Sequence, residues 1–364
     1  MTHDSPPQRP PLDKDLFFAS GGDLYQVLTS IHPQNRVIAL RKYFFSADKP
    51  DGMFFWHSPQ RPGYFTRGIP SYNVENATKN ISDSKYSRLS HILGVPMIEV
   101  PWDEIERYMY PEAGLQQFLN SGEENEWTRA VTGVLAEFET YLGIESTSLG
   151  LTGSLLWGAQ HASSDIDLII YGIAEARTFI EGIEDLLSQS TSVTLPPSEF
   201  VARYASTLAG KTGLPVDLCA QYIARKKYYL FYEDRFLSLG FVPLPYEITR
   251  QYESYSFHAL APVRITARII DNQLGYFYPA EYKIEVLDAD LGDNNAVMPE
   301  VGELIPQITT LLTMEREISG YYYPGDEVEV SGLLEEVQDG SDRYYQVLLG
   351  TREMFGHEYV KLLR

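Results

Sequence analysis

The sequence contains a single cysteine, Cys219. This excludes an intramolecular disulfide framework and a thiolate-based zinc site, and it fits a reducing compartment. Cys219 itself reads as a buried structural thiol. Long apolar runs are also missing. No window approaches the roughly 18 consecutive apolar residues of a membrane-spanning helix, so no membrane partner is expected. The opening stretch "MTHDSPPQRPPL" has neither the apolar core of a secretory signal nor a transit-peptide bias. Residues 1–12 therefore read as a disordered lead, and the chain as cytoplasmic. Basic residues are scarce, with 29 Lys and Arg against 50 Asp and Glu and a net charge of −21. Between Ala261 and Arg364 the balance is 8 against 19. Binding a phosphate backbone needs a basic surface that releases counterions, so long nucleic acids are disfavoured as partners. The seven histidines show no metal-ligand spacing.

Core-forming material is plentiful, with 44% apolar and 13% aromatic residues over 364 positions, enough for two or three domains. Residues 13–100 alternate short β-type stretches such as "NRVIALRKYFF" with turn formers, which predicts a mainly-β segment, with a helix expected near "ENATKNISDSKYSRLSHIL". Residues 101–235 read as a compact α/β unit. "DEIERYMYPEAGLQQFLN" is helical in pattern. "NEWTRAVTGVLAEFETYLG" places Trp127, Val131, Val134, Leu135 and Phe138 at three-to-four spacing before Gly143. Two more helices follow, at "IAEARTFIEGIEDLLSQS" and "PSEFVARYASTLAG", and then an apolar strand at "LPVDLCAQY". Residues 236–364 alternate in period two, which predicts a small C-terminal β-barrel of OB-like pattern.

The chemistry concentrates in "TGSLLWGAQHASSDIDLII", residues 152–170. In a strand, residues two apart face the same side, so Asp165 and Asp167 project together while Ile166 and Leu168 to Ile170 enter the core. Paired carboxylates repel unless a cation lies between them, and Mg2+ (or Mn2+) takes one or two carboxylates plus phosphate oxygens. Upstream, Gly153 and Ser154 form a turn whose bare backbone and hydroxyl suit a phosphate. Metal on one side and phosphate on the other point to a nucleoside triphosphate. A third acid completes a two-metal site, and Asp217, between Val216 and Leu218, is the candidate. His161, in the spacer, is either an exposed loop histidine or a nucleotide contact. The basic run Arg225 to Lys227 is either a solvated surface or a polyanion contact.

Gly153-Ser154, a ten-residue spacer, Asp165-x-Asp167 and a later apolar-Asp217-apolar segment together resemble the DNA polymerase beta-type nucleotidyltransferase superfamily. With its β-rich flanks, the chain looks like archaeal nucleotidyltransferase-domain proteins. The resemblance implies that Asp165 and Asp167 hold both metal ions and that Asp217 positions the acceptor hydroxyl. It also implies that Gly153 and Ser154 bind the β- and γ-phosphates. A nucleoside monophosphate would pass from an NTP to a hydroxyl acceptor (a small molecule, a protein or an RNA end) with loss of pyrophosphate. Two alternatives stay open: a non-catalytic nucleotide-binding scaffold or sensor that engages a protein partner, and a toxin-antitoxin component.

Overall fold

The computed structural model describes residues 9–51, 54–69, 74–90, 95–290, 303–354 and 356–364. The chain is a mixed α/β protein with three sheets. The first contains β1 (Leu16–Ala19), β2 (Leu24–Val27), β3 (Arg36–Ser46), β4 (Trp56–Ser58), β5 (Arg61–Arg67), β6 (Ser87–Leu89), β7 (Pro96–Pro101) and β8 (Ile105–Met109), with α1 (Val74–Ser82) beside it. Its main path runs β4-β5-β3-β2-β1-β8, and β7 joins β6 to β3. Two expectations are corrected here. Helix α1 stops at Ser82 and the chain turns into strand β6, and the segment read as one helix from Asp103 divides into β8 and α2 (Pro111–Leu119). Pro111 explains the division, because it suits the first helical turn and disfavours helical backbone just before it.

The middle unit follows with α3 (Glu126–Leu142), β9 (Leu149–Leu151), α4 (Gly153–Leu156), β10 (Ile166–Tyr171), α5 (Ile173–Gln189), β11 (Val193–Thr194), α6 (Ser198–Thr212), α7 (Val216–Arg225), β12 (Tyr229–Tyr232) and β13 (Arg235–Val242). Helix α3 forms as its spacing predicts. Asn125 and Thr128 make a reciprocal capping box, the apolar face is buried, and Gly143 ends the helix at φ 67°. The sheet order is β11-β12-β13-β10-β9, with β10 parallel to β13 and antiparallel to β9. β13 is the strand beside β10, so the sheet of the middle unit includes Arg235–Val242. The strand expected at "LPVDLCAQY" is helix α7, which buries Cys219, Tyr222 and Ile223 at three-to-four spacing.

The third sheet contains β14 (Tyr255–Leu274), β15 (Ala280–Asp290), β16 (Ile308–Thr313), β17 (Glu327–Asp339), β18 (Asp342–Leu349) and β19 (Tyr359–Leu362). Pairing passes from β14 to β15, β16, β18 and β17 and returns from β17 to β14, while β19 adds to β17. Its apolar interior also takes in Leu208 of α6 and Cys219, Tyr222 and Ile223 of α7. The expected disordered lead is corrected at its end. Pro11 and Leu12 are buried, and Leu12 packs on Ile169, Tyr171 and Val242 of the middle sheet.

Candidate functional site

The two faces of β10 have different neighbours. Ile166, Leu168 and Ile170 enter the core shared with α3 and α5. The opposite face begins with Asp165 and Asp167 and continues as Ile169 and Tyr171, which the Leu12 segment covers. The acidic pair therefore stands at the open end of a sheet face that is otherwise closed. Asp165 keeps solvent contact, yet desolvation by the surrounding protein, together with the neighbouring Asp167 charge, pushes its carboxyl up to about 6, against the opposing pull of Arg67.

Gly153 and Ser154 begin the short helix α4 directly after β9, and the turn is built against the acidic pair. The Thr152 amide donates to the Asp167 carbonyl at 3.0 Å. Gly153 has φ +63°, and a Cβ placed there would lie 2.0 Å from Asp167 Oδ2. Only glycine fits, for both conformation and space. The first sheet supports this turn from below. Trp157, just after α4, is fully buried among Phe18, Tyr43 and Phe65, its carbonyl accepts from the Ser58 hydroxyl, and Gln60 Nε2 donates to the Leu156 carbonyl at 3.1 Å. In the spacer, Arg235 holds the loop by donating to the Ala162 carbonyl at 3.2 Å, and its guanidinium stacks 4.1 Å above Trp127. His161 is half-buried and meets Phe54 edge-on at 5.2 Å.

Asp217 is not on the strand beside the pair. It lies exposed in the first turn of α7, where a carboxylate complements the helix dipole. The residue of β13 level with Asp167 is Ser238. Among the described residues, no cluster of three or more His, Cys, Asp or Glu side chains has the arrangement of a metal site. The basic run also differs from both expectations. Arg225 pairs with Asp326 at 2.6 Å, Lys226 is buried with its ammonium on the Arg316 carbonyl, and Lys227 pairs with Glu184.

Sequence reasoning missed Lys14. Its backbone adopts φ +74°, an unusual conformation for a lysine. Its amide donates to the Val27 carbonyl at 3.2 Å, and its carbonyl accepts from Thr152 Oγ1 at 3.0 Å. Its side chain lies across β13 at Gly240, where an added Cβ would be 3.4 Å from Lys14 Cε. Burial pushes the ammonium down to about 7, assisted by Arg316 and Lys42, while Asp13 and Asp167 act in the opposite sense. The signal available in the sequence was a lysine between two aspartates, "DKD", at the start of the segment read as mainly β.

The chain is 25% identical over 358 residues to the uncharacterized protein MJ1086 of Methanocaldococcus jannaschii, a match that covers 96% of this chain and 98% of that protein. No family model and no solved structure matches it.

Proposed function

We propose that the chain is a divalent-metal-dependent nucleotidyltransferase whose site is Asp165, Asp167, Gly153 and Ser154. The observation that carries this reading is the contact between turn and carboxylate. The Gly153 backbone packs directly against Asp167 Oδ2, with no room for even a methyl group between them, so turn and carboxylate border one site. In the reaction, an acceptor hydroxyl oxygen forms a new bond to the α-phosphorus of an NTP. The bond from that phosphorus to the bridging oxygen breaks, pyrophosphate leaves with the electron pair, and the hydroxyl proton passes to water. A divalent cation such as Mg2+ or Mn2+, were it held by Asp165 and Asp167, would supply positive charge to the carboxylate pair and the phosphoryl group. Asp165 and Asp167 hold the cation, while the Gly153 backbone and Ser154 hydroxyl orient the phosphates. In this reading the ring of strands from β14 to β18 is an OB-like barrel packed on the catalytic unit, and Asp217 stays outside the site.

One observation favours a second reading, a nucleotide-binding sensor. Where a two-metal site would need a third acid beside Asp167, the neighbouring strand offers Ser238. Calorimetric titration of each of the four NTPs with Mg2+, followed by a pyrophosphate-release assay, separates the two. The enzyme reading expects binding and release in wild type, with both abolished in Asp165→Ala/Asp167→Ala and in Gly153→Ala. Binding without release, across hydroxyl acceptors of all three classes, supports the sensor. Absence of NTP binding by the folded wild type rules out both.

A further inference from the structure

Lys14 comes from outside the α/β unit, yet the unit fixes it in place. Two backbone hydrogen bonds hold it, one to Val27 in the first sheet and one from Thr152, the residue before the Gly153 turn. Its backbone conformation is one that most residues avoid, and such positions persist only where the surroundings over-determine them. Its stem passes over Gly240, on the same face of β13 as Ser238, which is level with Asp167. Among the described residues its ammonium has no hydrogen bond or ion pair; the charges around it are Asp13, Lys42, Arg316 and Asp167. Three of these are already engaged, Asp13 and Arg316 with each other at 2.6 Å and Lys42 with Gln26 at 2.7 Å. A lysine so constrained and left without a partner is available for a ligand.

We propose that Lys14 fills the role a third carboxylate and its second metal ion would otherwise share: its ammonium contacts the oxygens of the transferring phosphoryl group, and the site holds one divalent cation. The inference rests on the nucleotidyltransferase reading, and it departs from the two-metal arrangement that the sequence resemblance implies. Lys14 contributes charge and gains or loses no proton in the step. An ammonium on the sheet face that carries Asp167 repels a cation in the empty site and attracts the anionic nucleotide. Its removal therefore shifts the two affinities in opposite directions, which a purely structural role does not do.

The test uses the full chain with Mn2+ as the metal probe and an ATP analogue carrying a methylene between the α- and β-phosphorus atoms. The variants are Lys14→Asn and Lys14→Gly, both tolerant of positive φ. Circular dichroism checks their fold. Wild type is expected to bind one Mn2+ by electron paramagnetic resonance. Both variants should bind free Mn2+ several-fold tighter, and the nucleotide analogue roughly ten- to a hundredfold more weakly, the range of one lost charged hydrogen bond. Two Mn2+ per wild-type chain, or variants whose nucleotide affinity is unchanged while Asp165→Asn abolishes Mn2+ binding, overturns the role of Lys14 and leaves the broader reading standing. A wild type that binds neither probe overturns both.

Discussion

An aspartate that keeps its proton to about pH 6 beside a second aspartate works against the folded state at neutral pH. The folded value of Asp165 lies above the ordinary 3.8, so its contribution to stability is complete below that value and is lost as pH rises through about 6. His32 acts in the opposite sense. It is buried and pushed down to about 3, so its contribution is complete above about 6.5 and is lost as pH falls towards 3. A bare pH scan mixes the two, whereas the difference between wild type and Asp165→Asn isolates the aspartate. That variant should gain in thermal midpoint over wild type as pH rises from 4 to 7, and the difference should then level off. Mg2+ should raise the wild-type midpoint more at pH 8 than at pH 5, with little effect on the variant. Scanning calorimetry at four pH values with and without Mg2+ checks both expectations. A Mg2+ effect as large at pH 5 as at pH 8 contradicts the assignment.

Residues 9–12 were read as the end of a disordered lead and residues 13–15 as the start of a mainly-β segment, yet Leu12 among them covers the site's sheet face. Arg9 donates to Asp15 at 2.7 and 2.8 Å and to Glu112 at 2.6 and 2.8 Å, and Glu112 also accepts from the Tyr171 hydroxyl at 2.9 Å. The Asp15 side chain is fully buried. Arg9→Ala leaves that carboxylate without its cation, a loss of about 3–5 kcal/mol in unfolding free energy. Because Lys14 lies on the same segment, the variant should also bind NTP more weakly. Urea unfolding measures the first effect and calorimetry the second; a loss below about 1 kcal/mol contradicts this account. None of this was readable in "RPPLDKD", because its partners are far along the chain. Helix α3 was readable, since its cap, stripe and terminal glycine are all local. Helix α7 was not, because Val216, Leu218 and Ala220 imitate the alternation of a strand, while the buried set Cys219, Tyr222 and Ile223 has helical spacing. Strand β13 was read as β structure, but its place beside β10 was not legible. Ser238 and Gly240 look like turn formers, yet they lie within the strand, and the Lys14 stem passes over Gly240.

At the scale of the molecule, the three sheets do not behave as separable modules. Leu208, Tyr222 and Ile223, on helices of the middle unit, are buried in the core of the third sheet, and Phe277 of the third region lies in the core of the middle unit. Arg316 reaches Asp13 in the opening segment at 2.6 Å. Exposing those three side chains costs roughly 5–9 kcal/mol at ~1.5–3 kcal/mol each, comparable to the whole stability of an ordinary domain. A fragment of residues 101–242 should therefore lack cooperative unfolding and near-ultraviolet dichroism even where its helices persist. The one cysteine in the chain makes a direct probe, because Cys219 is fully buried at this shared core. In the full chain, labelling of Cys219 by a thiol reagent should proceed no faster than global unfolding, with the same denaturant dependence; in the fragment it should be complete at once. Slow labelling in both would mean that α6 and α7 hold their own core. Labelling of the full chain well ahead of global unfolding would mean that the helices leave the third sheet by local opening, and the coupling argued here would fail.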